Sequence, residues 1–166
     1  MKITNIRIID PACGRDEISD ISIKDGRIAN EADCNEEIDG TGLIAGPGLV
    51  DVHVHFRDPG QTRKECIHTG ALAAAAGGFT SVVMMANTVP PIDDPDIVKD
   101  VIKRASEEKI HIYTCATVTK GLCGIEPCDY RALLDAGAVG FTDDGKPICD
   151  ADLLKRSFDE DRKSVV

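Results

Sequence analysis

The sequence is short of positive charge: 19 Lys and Arg stand against 29 Asp and Glu, for a formal net charge of −10. That balance argues against nucleic acid or an anionic membrane surface as the main partner. A small anionic substrate stays compatible, because it feels the local field of its site. Long hydrophobic runs are also missing, and none approaches the ~20 residues of a bilayer span. The opening Met1-Lys2-Ile3-Thr4-Asn5 has no signal-peptide core, so the cytoplasm is the expected compartment. Paired cysteine motifs are absent as well. The seven cysteines (Cys13, Cys34, Cys66, Cys115, Cys123, Cys128 and Cys149) are scattered and odd in number. Free thiols are expected rather than a disulfide framework. Cys123 and Cys128 lack a second pair and read as ordinary small residues rather than a metal knuckle. No Gly-x-Ser-x-Gly elbow occurs, and no Gly-x-Gly-x-x-Gly follows the strand at Leu49. A serine nucleophile of that type and a dinucleotide site are therefore not expected.

What is present is a soluble globular balance, 42% hydrophobic and 29% charged over 166 residues, enough chain for a real core. The first part, residues 1–47, reads as short strands. Lys2 to Ile9 alternates imperfectly through Ile3, Ile6 and Ile8. Ile21 and Ile23 keep a period of two, with Ile18 out of phase. Asp25-Gly26 is a hairpin signal leading into Arg27-Ile28-Ala29, and Ile38 to Ile44 adds another piece around Gly40 and Gly42.

After Gly46-Pro47-Gly48, strands and helices alternate. Strands are expected at Leu49–His55, Phe79–Met85, Ile110–Val118 and Ala138–Thr142. Helices are expected at Lys64–Ala76, from Asp94-Pro95 through Ala105, at Asp129–Ala136 and at Ala151–Lys163, with Ser164-Val165-Val166 opening a further strand. The βα period is roughly 30 residues, as in crossover units. Near-continuous apolar strands such as Val82-Val83-Met84-Met85 point to a parallel sheet buried on both faces. Four βα units suit the length of an open doubly wound sheet. The chemistry, however, gathers at the carboxyl ends of several strands, as in a (β/α)₈ barrel.

The strongest motif is His53-Val54-His55. Side chains on a strand repeat every second residue, so both imidazoles face one side and can share a divalent metal. The plainer alternative is two hydrogen-bonded histidines. Asp143-Asp144-Gly145 ends the fourth strand, either as a solvated turn or as a carboxylate ligand, and His-x-His on a neighbouring unit favours the ligand reading. Arg57 is suited to clamp a substrate carboxylate and Asn87 to hydrogen-bond a polar substrate; a surface salt bridge and a turn are their alternatives. His68 and His111 read as ordinary histidines.

Taken together, Pro47-Gly48-Leu49-Val50-Asp51-Val52-His53-Val54-His55-Phe56-Arg57-Asp58-Pro59-Gly60 resembles the signature of the dihydroorotases within the amidohydrolase superfamily. Ala76-Gly77-Gly78-Phe79-Thr80, Asn87-Thr88 with Pro90-Pro91, and Gly140-Phe141-Thr142-Asp143-Asp144-Gly145 match further blocks, so the resemblance runs over essentially the whole chain. Arg-Asp-Pro-Gly after His-x-His is closer to dihydroorotases than to hydantoinases or allantoinases. Phe-Thr-Asp-Asp-Gly is similar to the bacterial type whose bridging ligand is aspartate rather than a carboxylated lysine, and Lys146 does not stand at that lysine's position. Ala86 departs from the usual Pro, and only a local backbone effect is expected.

The resemblance implies an α/β chain forming the first half of a (β/α)₈ TIM-type barrel. Residues 1–47 would be a small N-terminal β-region and residues 48–166 the first four βα units, ending in the fifth strand. It implies zinc, one or two ions in the complete enzyme, held here by His53, His55 and Asp144. Arg57 and Asn87 would bind the substrate carboxylate. The activity implied is reversible interconversion of N-carbamoyl-L-aspartate and L-dihydroorotate in pyrimidine biosynthesis. No catalytic residue is assigned, because the general acid/base is expected in the missing half. The chain alone is thus expected to be an inactive fragment. Homo-oligomerisation or association with a transcarbamoylase remains open, as do the alternatives of a non-catalytic transcarbamoylase partner and of another cyclic-amide hydrolase.

Overall fold

The computed structural model describes residues 1–30 and 36–164, so Cys34 lies outside the described residues. The chain divides into two compact units, Met1–Pro47 and Gly48–Val166. In the first, β1 (Lys2–Asp10) runs antiparallel to β2 (Arg15–Lys24), which turns back into β3 (Arg27–Ala29). The turn is Asp25-Gly26 with φ of 52° and 73°. Two successive left-handed residues give the hairpin whose twist matches its strands. The imperfect alternation of Ile3, Ile6 and Ile8 has a backbone cause. The register shifts between Ile3 and Ile6, where Asn5 has a φ of 56° and donates its N–H to Asp20 Oδ1 at 3.1 Å. Past this irregularity Ile6 and Ile8 fall on the buried side.

The single piece expected at Ile38–Ile44 is two strands, β4 (Glu37–Asp39) and β5 (Ile44–Ala45), both parallel to β1. Between them Gly40 donates its N–H to Thr4 O at 2.7 Å. A Cβ there would lie 2.7 Å from Ile6 Cβ and 2.9 Å from Thr4 O, so this close approach admits only glycine.

The second unit runs β6 (Leu49–Val54), α1 (Ile67–Ala76), β7 (Phe79–Met84), α2 (Pro95–Ala105), β8 (His111–Thr114), α3 (Tyr130–Asp135) and α4 (Ala151–Ser164). β6, β7 and β8 form a parallel sheet in that order, with α1 and α2 as the crossovers. On β7, Val82 and Met84 are fully buried in a core shared with Val98 and Val101 of α2 and Ala71 of α1. Ser81 and Val83, on the opposite face, are only partly buried. The expectation of burial on both faces therefore holds for the helix-covered face alone. Residues 139–142 lie parallel to the end of β8. Val139 N–H bonds Thr114 O at 3.0 Å, Ala116 N–H bonds Gly140 O at 2.9 Å, and Thr142 N–H bonds Ala116 O at 2.9 Å. This fourth pairing is a single bridge, Ala116 with Phe141, rather than the full strand expected from 138 to 142. The turn at Gly137, with φ of 110°, runs almost up to the pairing and shortens it.

Helix ends follow local chemistry. Asp94 caps α2 by accepting from Asp96 N–H at 2.8 Å, with Pro95 at the first position. Asp129 caps α3 through Ala132 N–H at 3.0 Å. α1 begins at Ile67 rather than Lys64, because the extended Cys66 precedes it and Ile67 N–H goes to Asp58 Oδ2 at 3.3 Å. Ser164 ends α4 rather than opening a strand. The polar run 159–164 contains no Gly or Pro that would stop a helix. Val165 and Val166 lie outside the described residues. Among the described residues no helix is long and apolar enough to cross a membrane.

Candidate metal centre

His53 lies in β6 and His55 just past it, so the strand's two-residue period sends both rings to one side. Their centroids are 5.2 Å apart. Asp144 reaches the same place from the segment that follows the Phe141 bridge. Its Oδ1 lies 3.5 Å from His53 Nε2 and its Oδ2 lies 3.4 Å from His55 Nε2. The donor atoms of all three fall within 4.8 Å of one another, and no other such trio of His, Cys, Asp or Glu gathers among the described residues. These separations are long for hydrogen bonds. They are short enough for one cation to lie between the carboxylate and the two imidazoles. The donor set, two imidazoles and a carboxylate, fits a divalent metal ion.

Two local devices hold this geometry. The first is the division of labour at Asp143-Asp144. Asp143 Oδ1 accepts from Val118 N–H at 2.8 Å and Thr119 N–H at 3.1 Å, and its Oδ2 accepts from Thr119 Oγ1. Asp143 is thereby fully engaged with the loop after β8, and Asp144 is left to face the histidines. The second is Asn87, just beyond β7. Its Nδ2 donates to Asp144 Oδ2 at 2.9 Å and to Asp144 O at 3.3 Å, while its Oδ1 lies 2.9 Å from His55 Nδ1. The amide that was expected at a substrate is thus engaged with the two candidate ligands.

The loop carrying Arg57 is locked to the loop carrying Asn87. Val89 N–H bonds Pro59 O at 3.2 Å. Gly60 has a φ of 87°, and a Cβ there would lie 1.5 Å from Val89 O. Phe56 is buried where α1 presents Gly70, since a Cβ on Gly70 would sit 2.4 Å from the ring. Arg57 itself has a φ of 52°, a strained conformation for a residue with a side chain and worth of order 1 kcal/mol. It is half-buried, one residue-pair along from His55.

One structural residue escaped the sequence. Asp58 is buried and receives Arg104 Nη1 at 2.7 Å while supporting the start of α1. Arg104, lying in α2, gave no signal that it would meet residue 58. His68 pairs with Glu108 at 3.1 Å, and His111 is exposed at the opposite end of its strand from the site. Cys128 is buried, and burial pushes its thiol up to about 11 despite the opposing contact with Thr117 Oγ1. Cys123 is exposed, and neither cysteine joins a ligand cluster.

Comparison with known proteins agrees with this architecture. A family model described as dihydro-orotase-like matches residues 42–165. The chain is 52% identical to a dihydroorotase of Streptococcus pneumoniae, over 97% of this chain and 39% of that protein. It is 55% identical to a dihydroorotase of Streptococcus pyogenes, over 95% and 38%. It therefore spans about two fifths of the length of these curated relatives. Among solved structures, an L-hydantoinase from Arthrobacter aurescens superposes with a TM-score of 0.79 at 25% identity, over 98% of this chain and 38% of that one. This likeness favours a partial amidohydrolase barrel over an open doubly wound sheet. With three quarters of its length inside the family model, the chain belongs to the dihydro-orotase-like family.

Proposed function

We propose that this chain carries the first-strand side of a dihydroorotase-type metal site, which in a complete enzyme interconverts N-carbamoyl-L-aspartate and L-dihydroorotate. The observation that carries the reading is the convergence of His53, His55 and Asp144 within 4.8 Å in a member of that family. Zinc is the proposed ion, since three protein donors of N and O type are the usual set of a catalytic zinc. Bound there, zinc would supply polarisation of the ring amide carbonyl and a nucleophile usable at neutral pH.

The residues do the positioning. His53 and His55 present Nε2 atoms, and Asp144 supplies the carboxylate. Arg57 offers its guanidinium fork to the substrate's carboxylate, a bidentate match that lysine would not reproduce. Asn87, expected beside Arg57 on that carboxylate, reaches it only by giving up bonds to Asp144. No general acid/base is assigned among the described residues, so the 166-residue polypeptide is expected to turn over dihydroorotate negligibly. A cytoplasmic setting and a small-molecule substrate belong to the same reading.

The test is to purify the chain, load it with zinc and measure both retained metal and dihydroorotate ring opening. Zinc retained by the wild type and lost in His55→Ala supports the site. A wild type that retains none refutes it, and turnover at ordinary enzyme rates refutes the claim of incompleteness. A second reading, a hydantoin-type cyclic-amide hydrolase, draws on the likeness to the L-hydantoinase. Kinetic preference for a hydantoin in a full-length version would favour it.

A further inference from the structure

We infer that Asn87 is a positioning residue that fixes the imidazole tautomer of His55 and the carboxylate rotamer of Asp144. This inference rests on the metal reading of the site. Asn87 bonds to both groups at once, and the chemistry of the carboxylate settles which way its amide points. An ionised carboxylate only accepts, so the Asn87 atom facing Asp144 Oδ2 at 2.9 Å is the NH₂ group. The same group reaches Asp144 O at 3.3 Å. The carbonyl oxygen is therefore the atom 2.9 Å from His55 Nδ1. A carbonyl only accepts, so Nδ1 carries the proton. In the neutral ring the lone pair of His55 is then on Nε2, the atom facing Asp144 Oδ2 at 3.4 Å.

One amide thus selects the ligating nitrogen of one residue and holds the oxygen of another. Both contacts of the Asn87 amide nitrogen go to Asp144. Asn87 is itself held in place by its neighbours. Ala86 is fully buried, and its carbonyl accepts Thr88 N–H at 2.9 Å and Ile92 N–H at 3.1 Å. Partners of this kind around a metal ligand commonly change metal affinity on the order of 10–100-fold when removed.

The test compares wild type, Asn87→Ala and Asn87→Asp in the 166-residue chain. Nitrogen-15 NMR of the metal-free protein reads the His55 tautomer, and cobalt(II) titration reads affinity and ligand field. The wild type should show the Nδ1–H tautomer. Asn87→Ala should show a tautomer mixture and bind cobalt about 10–100-fold more weakly, with unchanged circular dichroism. Asn87→Asp keeps an acceptor opposite Nδ1 but turns a second acceptor toward Asp144. It should retain the tautomer and alter the cobalt spectrum. A merely structural role would leave the tautomer unmoved. Wild-type tautomer and affinity in Asn87→Ala overturn the inference alone. If that variant fails to fold, an unaltered affinity and spectrum in Asn87→Asp overturn it. A wild type that binds no cobalt overturns the metal reading itself, and the inference with it.

Discussion

The two units of this chain are built on different physics. Residues 1–47 form a thin sheet in which Ile6 and Ile8 are the apolar side chains buried among the described residues. Its charged pairs, Arg7 with Asp16 at 2.7 Å and Lys2 with Asp20 at 2.7 Å, are solvent-exposed, and such pairs contribute little. Residues 48–166 place Val82, Met84, Ala86, Ile92 and Val98 at 0% exposure in a core shared by the parallel sheet and its crossover helices. The candidate chemistry lies in this second unit, at the carboxyl ends of its strands. A packed core fixes strand directions, and only then can side chains from two separate chain segments be held close enough to share an ion. A sheet closed by turns and surface charges has no such convergence point.

Perturbing the two units should expose that difference. Met84→Ala should cost about 2–5 kcal/mol, as loss of a fully buried long side chain does. Denaturant unfolding reads the total, and amide exchange should rise in β6–β8; an equal loss of protection in β1 and β2 would break the comparison. Asp58→Ala should cost roughly 2 kcal/mol, below the usual figure for a buried pair because Arg104 is about one third exposed. Double-mutant analysis with Arg104→Ala isolates the coupling. Asp94→Ala, which removes an N-cap, should cost about 1 kcal/mol in a thermal melt.

The smallest effect belongs to the first unit. The hydrogen bond from Arg7 holds the Asp16 carboxyl below its ordinary range, and Lys2 with the Asn5 N–H does the same for Asp20. A carboxyl depressed in the folded state adds stability above its unfolded value and loses it as pH falls through the folded one. The first unit should therefore weaken slightly below about pH 4. Asp16→Asn should flatten that acid limb of a pH-dependent melt, and a large change would mean that the surface pairs matter more than their exposure implies.

Much of the fold was legible where the signal is local. The Asp25-Gly26 hairpin and the α2 helix, with its Asp94-Pro95 start and its Val98, Val101 and Ala105 face, appear as expected because turn and cap chemistry act over a few residues. The fourth strand was less legible, since its length depends on which residues past β8 it meets. The site divides in the same way. Asp143 and Asp144 are the same residue type in adjacent positions; no local pattern tells the anchor from the candidate ligand, and only the family resemblance singled out Asp144. Asn87 read as a substrate contact because nothing local reveals that His55 and Asp144 stand on either side of it.

The sequence by itself determined that His53 and His55 face one way, because the two-residue period of a strand is a property of the backbone. It also determined the alternation of strands and helices that builds a parallel sheet. The choice of Asp144 came from the family resemblance; only the tertiary structure decided how Asp143 is tied to the loop after β8 and that Asn87 joins two members of the trio. Those outcomes depend on contacts between segments far apart in the chain, which burial of the apolar core brings together and no local pattern encodes.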